Sequence, residues 1–317
     1  MTDSTPTVSV VIATKNRRDL LKTCLRAVLA QVDVDLEVTV VDDGSTDGTS
    51  SMLLELREPR LRVLRNERSR GVGVARNQGA STSRGEWLAF TDDDDLWHPH
   101  KLRLQVEAGV AAQAVLVYCG AVIFGEDSRY VLPAVPVPSP TAFKQTILRG
   151  NPLPGGASAQ MVHRDAFRRL DGFDEAFHHL ADWDLWIRLA SAGPAAAVDR
   201  ELVAYRFHTE NMVVASAKAH LVEFDRLIEK HADLSRREGV AFNPVGFNHW
   251  IANRQRLAGR RWRSAAMHLR AGLKYHNFGH LGCAVRTPLG QWAIGLRQPR
   301  VEPVACPDWL RASLNAD

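Results

Sequence analysis

Along the first two hundred positions, apolar residues fall into short unbroken runs. Between these runs they recur every three or four residues. Val8 to Ala13 is a β-branched run, as expected of a strand buried on both faces. Leu20, Leu21, Cys24, Leu25, Val28 and Leu29 then follow helical spacing. The alternation continues with strands at Leu36 to Val41, Leu61 to Leu64, Trp87 to Phe90 and Val115 to Phe124. Helices are expected at Thr49 to Leu56, Val74 to Ser81 and Lys101 to Ala111. Such alternation predicts an α/β fold with a mostly parallel sheet flanked by helices, whose ligands bind beyond the carboxyl ends of the strands. A connection with Pro133, Pro136, Pro138 and Pro140 reads as a loop over or beside that edge. Further on, Ser158 to His163 and Val203 to Phe207 read as strands, and Asp182 to Ala192 as a helix with Trp183, Trp186, Ile187 and Ala190 on one face. From about Ala215 the pattern is helical, in Leu221 to Leu234 and Trp250 to Leu273.

Composition narrows the class. The 317 residues are 45% hydrophobic and 24% charged, which excludes a disordered chain, a collagen-like fibre and a disulfide-dense mini-protein. Met1 to Thr7 is polar and carries Asp3, so no secretory leader is expected. No apolar run is long enough to span a membrane. Cys24, Cys119, Cys283 and Cys306 are far apart and form no CxxC pair. That argues against a zinc site or disulfide framework and fits a cytoplasmic protein. Charge is uneven. Residues 215–317 hold 16 Lys/Arg against 8 Asp/Glu, so the overall charge of +4 leaves the front of the chain acidic.

Four local features carry candidate chemistry. Thr91-Asp92-Asp93-Asp94-Asp95 follows a strand, and four adjacent carboxylates repel one another. A hard divalent cation, Mg²⁺ or Mn²⁺, would relieve that repulsion and bridge to phosphate; the alternative is a solvated acidic turn capping the next helix. Asp42-Asp43-Gly44-Ser45-Thr46-Asp47 also follows a strand. Its carboxylates suit an imide N–H or a ribose hydroxyl, and its composition equally suits a turn and N-cap. Arg70-Gly71-Val72-Gly73-Val74-Ala75-Arg76-Asn77 opens a helix with glycines that permit close backbone approach, and Arg70 or Arg76 can meet phosphate or remain a surface charge. Asp182, at the start of a helix among tryptophans, reads as a general base or as an N-cap. His208 reads as a metal ligand, a base or a structural histidine.

Together these segments resemble family 2 glycosyltransferases of the GT-A fold. The resemblance rests on Val8–Arg17, Val40–Thr49, Gly73–Gly79, Phe90–Asp95, Leu170–Glu175 and Asp182–Leu189, in order and at matching spacing over roughly residues 7 to 210. It implies a GT-A catalytic domain over 1–214, with a nucleotide-binding half of about 1–125 and an acceptor-binding half of about 126–214. Residues 215–317 would form a basic helical region. It also implies inverting transfer of a sugar from a nucleotide-diphosphate donor, a UDP-sugar being favoured. By motif position, Ala13, Thr14, Lys15, Asn16, Asp42, Asp43, Arg76, Asp92, Asp93 and Asp95 would meet the donor. Asp94 and His208 would hold the metal, and Asp182 would be the base. The segment from Tyr130 to Gly156 is expected to shape the acceptor pocket, the acceptor being a saccharide, a lipid-linked sugar or a small molecule. Two positions depart from the family: an aromatic residue usually stands at Lys15, and an acidic residue often stands at Ala181.

The basic tail contains Trp250, Arg254, Arg256, Arg260, Arg261, Trp262, Arg263, Arg270 and Lys274. It reads either as a helical appendage or as a surface for anionic lipid headgroups on the inner face of a membrane. No nucleic-acid-binding module is recognised. Two rival functions remain: a nucleotide-sugar-binding protein without turnover, and a nucleotidyltransferase. The latter would need a GxGTR-like loop where this chain has Ala13-Thr14-Lys15-Asn16.

Overall fold

The computed structural model describes residues 5–125, 131–132, 137–153, 155–208, 212–289 and 306–315. Tyr130, Pro133, Pro136 and residues 209–211, which follow His208, lie outside this set. The chain forms two compact units. The first comprises Met1–Ile147, Pro152–Arg206 and Pro303–Asp317; the second comprises Leu148–Asn151 and Phe207–Glu302. The charge pattern had placed the division at 214/215 and kept the C-terminus with the tail.

The first unit runs β1 (Val8–Thr14), α1 (Arg18–Leu29), β2 (Leu36–Asp42), α2 (Thr49–Glu55), β3 (Leu61–Arg65), α3 (Val72–Ser81), β4 (Trp87–Asp92), β5 (Leu96–Trp97), α4 (Lys101–Ala112), β6 (Leu116–Gly125) and β7 (Val131–Leu132). It continues through α5 (Phe143–Arg149), β8 (Gln160–His163), α6 (Arg164–Arg169), α7 (Ala181–Ala192) and β9 (Ala195–Phe207), except that Leu148, Arg149 and Phe207 at the ends of α5 and β9 fall in the second unit. The second unit holds α8 (Met212–Ala215), α9 (Ala217–Lys230), α10 (Ala232–Glu238), α11 (Pro244–Leu257), α12 (Arg261–Lys274) and α13 (Phe278–Leu289). A last helix, α14 (Asp308–Asn315), belongs to the first unit.

The strands form one sheet in the order β3-β2-β1-β4-β8-β6-β9-β5, with β7 on β6. Pairs β1–β2, β2–β3 and β1–β4 are parallel, whereas β4–β8, β6–β8, β6–β7 and β5–β9 are antiparallel. The α/β class holds, with the parallel pairing concentrated in the first four strands. The chain leaves β1 toward β2 and β3, then crosses back to place β4 on the other side of β1. The carboxyl ends of β1 and β4 are therefore a topological switch point, where α/β sheets leave a crevice for ligands. Register brings Thr14 beside Asp42 and Ala13 beside Asp92 at that edge.

The core follows from the sequence pattern. Val8, Val10, Val11 and Ile12 of β1 are fully buried, as are Val38, Val40 and Val41 of β2. Helix α3 lies very close to this layer, because a Cβ on Gly79 would come within 2.4 Å of Val11 Cγ1. Some elements escape sequence reasoning. β5 is two residues long and exists only through pairing of Leu96 with Ala204 and Trp97 with Val203. β9 begins at Ala195, eight residues before the expected start, because its first half is alanine-rich and polar and has no strand pattern. The expected helix Trp250–Leu273 is broken at Gly259, whose φ of +75° ends α11. Leu221–Leu234 is likewise divided between α9 and α10.

One buried charge is costly. Lys101 is fully buried, donates to Gln105 Oε1 at 2.8 Å and lies 3.8 Å from the centre of the Trp97 ring. Burial lowers its pKa to about 8. The unfolded chain binds this proton more tightly, so the group's penalty is full below pH 8 and is relieved as pH rises toward the unfolded value. Urea unfolding of the wild type and Lys101→Met at pH 7 and pH 10 should show the wild type gaining about 2 kcal/mol on the variant. An unchanged difference would mean that Lys101 titrates normally.

Candidate functional site

The acidic run sits where β4 ends. Asp93, Asp94 and Asp95 are buried, while Asp92 is partly exposed. Their positions are fixed by donors from four separate segments. Arg17, which precedes α1, reaches Asp93 Oδ1 at 3.0 Å and Asp94 Oδ2 at 2.8 Å. Thr14 Oγ1 donates to Asp93 Oδ2 at 2.7 Å. Arg76 of α3 pairs with Asp92 Oδ1. Ser158 donates to Asp95 Oδ2 at 2.5 Å and accepts from the Asp92 amide at 3.0 Å. The Arg206 amide donates to Asp95 Oδ1 at 3.0 Å, and its Nε donates to the Asp94 carbonyl at 3.2 Å.

Crowding shows in the acidities. Burial raises Asp93 to about 6, against the pull of Arg17. Burial, reinforced by Asp94 and Asp92, pushes Asp95 well above the usual carboxylate range. Asp92 is raised by burial, then restrained by Arg76. Oxygen atoms of Asp92, Asp94 and Asp95 all lie within 4.8 Å of one another. An all-carboxylate set grouped this closely offers only hard oxygen ligands, so these residues fit Mg²⁺ or Mn²⁺.

Asp182, in the first turn of α7, arrives beside this cluster. A methyl group on Gly156 would lie 3.6 Å from Asp92 Oδ2 and 3.9 Å from Asp182 Oδ2, so both carboxylates border the same point. Asp182 Oδ1 accepts from the Trp183 amide at 2.7 Å. Burial raises its pKa to about 6, against the attraction of Arg76. The placement of α7 is secured from two sides. Arg188 pairs with buried Asp184 and donates to the carbonyls of Leu170 and Gly172. Asn77 of α3 exchanges two hydrogen bonds with the Phe173 backbone, each 2.9 Å. Gly172 has a φ of +67°, and a Cβ there would sit 2.5 Å from Asn77 Oδ1, so the turn requires glycine.

The Asp42-Asp43 pair behaves differently. Asp42 accepts from the Ser45 amide, Ser50 Oγ and Arg65. Asp43 accepts from Asn66, Ser69 and the amides of Arg70 and Gly71. Although burial opposes it, these bonds lower the Asp43 pKa. All four carboxylate oxygens are thus engaged by the chain itself. Asn16, at φ +54°, bonds Ser45 Oγ through its amide and accepts from the Thr46 amide, which ties the ends of β1 and β2 together. Lys15 is exposed beside it, and Ala13 is half-buried. His208 follows β9 and is a buried residue at the start of the second unit.

Sequence reasoning gives no individual role to Arg17, Ser158 or Arg206. Arg17 closes the first motif segment and Arg206 falls in the expected strand Val203 to Phe207, but nothing in the sequence says that they point at aspartates. Ser158 was assigned to the start of a strand. The glycine pair Gly155-Gly156 just before it, both with positive φ, was the available signal of a functional loop.

Comparison with known proteins agrees with this geometry. The family described as Glycosyl transferase family 2 matches residues 9–171. The chain is 37% identical over 127 residues to the succinoglycan biosynthesis protein ExoO of Rhizobium meliloti, a match covering 40% of this chain and 36% of that protein. It is 24% identical over 211 residues to an Escherichia coli protein, UDP-Glc:alpha-D-GlcNAc-diphosphoundecaprenol beta-1,3-glucosyltransferase WfgD, covering 67% of this chain and 80% of that one. For several relatives the matched segment is only about a third of their length. The fold resembles S. aureus TarS 1–349 in complex with UDP-GlcNAc, with a TM-score of 0.60 and 19% identity over 88% of this chain and 81% of that one. With the family matched over more than half of its length and the GT-A fold in place, this chain belongs to glycosyltransferase family 2.

Proposed function

We propose that the chain is an inverting glycosyltransferase that moves a sugar from a UDP-sugar to an acceptor hydroxyl, with Asp182 as general base. The observation that carries this reading is the convergence of Asp182 with Asp92 at the switch point of the sheet. Asp182 stands beside Arg76, which favours its ionised form, while burial keeps it a stronger base than a solvated carboxylate. It takes the acceptor proton as the hydroxyl attacks the anomeric carbon from the face opposite the leaving group. No protein nucleophile is required, so configuration inverts.

The donor diphosphate belongs at the Asp92–Asp95 edge. Asp94 is the principal candidate metal ligand, with Asp92 and Asp95 close by. When bound, Mg²⁺ or Mn²⁺ supplies positive charge opposite the leaving diphosphate. Arg17 and Arg76 hold the carboxylates in place and offset their mutual repulsion. As the side chains stand, Asp42 and Asp43 shape the nucleoside end by fixing the loops after β2 and β3. Direct contact with base and ribose requires some of those internal bonds to be exchanged. A UDP-sugar donor is supported by the UDP-glucose transferase WfgD and by TarS 1–349 in complex with UDP-GlcNAc, and a lipid-linked acceptor by the diphosphoundecaprenol acceptor of WfgD.

A peripheral membrane contact fits that acceptor. No helix among the described residues is long and apolar enough to cross a membrane. On α12, however, Trp262, Leu269 and Leu273 are 75%, 47% and 63% exposed and share one helical face. Arg261, Arg263, Arg270 and Lys274 are exposed on the same helix. Apolar anchors among cations suit an anionic lipid surface.

Three outcomes are expected. In a thermal-shift panel of UDP, GDP and dTDP with and without Mn²⁺, UDP should stabilise the protein only with metal, by about 2.7 kcal/mol at a hundred times its dissociation constant. Asp94→Asn should abolish the metal-dependent shift, and an undiminished metal-dependent shift in that variant would refute Asp94 as ligand. Asp182→Asn should lower kcat by about 10²- to 10⁴-fold while UDP still binds. In the wild type, kcat/KM should rise with pH through about 6, where Asp182 loses its proton. Turnover unaffected by the substitution would end its assignment as base. In flotation assays, anionic vesicles should retain the wild type, and Trp262→Ser with Leu273→Ser should release it. Equal recovery with neutral vesicles would contradict the lipid contact.

A further inference from the structure

Three helices of the second unit each bring one imidazole to a common point. His249 lies on α11, His268 on α12 and His280 on α13, and one ring nitrogen of each lies within 4.8 Å of the others. Ring centres are 5.2 Å apart for His249–His268, 5.6 Å for His249–His280 and 5.1 Å for His268–His280. His268 and His280 are buried, whereas His249 is exposed.

Ion pairing within these helices does not account for the cluster. Residues 239–301 contain no Asp or Glu, so α11, α12 and α13 supply no carboxylate to a charged imidazole. The hydrogen bonds instead leave lone pairs facing inward. His280 Nε2 lies 3.0 Å from the Val245 carbonyl. A carbonyl only accepts, so Nε2 carries the proton and Nδ1 of the neutral ring presents its lone pair. That Nδ1 accepts from His268 Nδ1–H at 2.9 Å, so an ion held by this pair replaces the hydrogen bond and the neutral His268 ring carries its proton on Nε2 instead. A histidine that donates one N–H to a backbone carbonyl and offers the other nitrogen inward has the orientation found in metal-bound histidines.

We propose that His249, His268 and His280 bind a divalent transition-metal ion of the zinc type, with a fourth position filled by water or an anion on the exposed side. Zinc–nitrogen bonds of about 2.0–2.1 Å in tetrahedral geometry set nitrogens about 3.3 Å apart, so the His268–His280 pair needs to open by only a few tenths of an ångström. His249 Nε2 accepts from the Asn253 amide at 3.0 Å. Imidazole ligands select against Mg²⁺, so the site is chemically distinct from the carboxylate cluster of the first unit. Its effect is to tie three helices together.

The test uses the full chain without a polyhistidine tag, stripped with chelator and titrated with Zn²⁺ against a chromophoric competitor. Wild type and Asp94→Asn should each bind one equivalent and melt at a higher temperature with zinc, and Co²⁺ should give the visible absorption of a tetrahedral site. His249→Ala, at an exposed position, should fold normally and bind Zn²⁺ at least about tenfold more weakly. Excess Mg²⁺ should not compete. Weakening by less than tenfold, absence of zinc binding in the wild type, or loss of binding in Asp94→Asn with retention in His249→Ala would each overturn the site. The last result would move the ion to the carboxylates.

Discussion

Everything in the first unit answers one electrostatic problem, the crowding of four adjacent aspartates at the end of a buried strand. Left alone, such a run would protonate or unfold the turn that carries it. Here it is held by donors that come from across the chain. Arg17 precedes α1, Arg76 lies in α3, Ser158 precedes β8, and Arg206 stands near the end of β9. Each becomes available only when the sheet has its native strand order. The site and the fold are thus mutually dependent, since the sheet brings the donors together and the donors make the acidic edge tolerable.

The compensation is incomplete, and the incompleteness has a direction. Arg17 serves Asp93 and Asp94, and Arg76 serves Asp92, while Asp95 receives only a hydroxyl and a backbone amide. Burial, with Asp94 and Asp92 beside it, raises the Asp95 carboxyl well above the usual range. Added positive charge relieves such a residue. Arg76 also links the two halves of the chemistry, because its charge acts on both Asp92 and Asp182. The Asn77 and Arg188 contacts that fasten the Leu170–Phe173 turn to α3 and α7 therefore act on the base through its distance from Arg76. The turn has no reacting group of its own, yet its glycine and its backbone bonds decide where Asp182 stands.

Legibility in the sequence follows the same physics. Strands β1, β2, β4 and β6 are continuous apolar runs because they are buried on both faces, and local pattern suffices to find them. β5 is a strand only because it pairs with Val203 and Ala204 of β9, and the first half of β9 is alanine-rich and polar, so no local window reveals either. Asp92, Asp94 and Asp182 stand out because carboxylates at strand and helix ends are conspicuous and fall in a known motif order. Their partners do not. An arginine or serine looks the same whether it faces solvent or an aspartate eighty residues away, and only the topology decides. The Asp42-Asp43 pair shows the opposite difficulty. It looks like an exposed ligand-binding turn, but its oxygens are filled by Ser45, Ser50, Asn66 and Ser69, residues whose loops it organises.

The histidines of the second unit extend this point. Cysteine spacing was the sequence signal consulted for zinc, and it is silent. His249, His268 and His280 have no motif spacing either, since each comes from a different helix. Their convergence depends on the close approach of α12 and α13, where a Cβ on Gly272 would lie 2.6 Å from Leu281 Cδ2. A helix interface this tight leaves little room for water around the two buried rings. In a segment rich in arginine and devoid of carboxylate, a neutral ligand set is the one arrangement of titratable groups that adds no charge of its own. The same absence of acid that makes the segment basic is what leaves its imidazoles available as ligands.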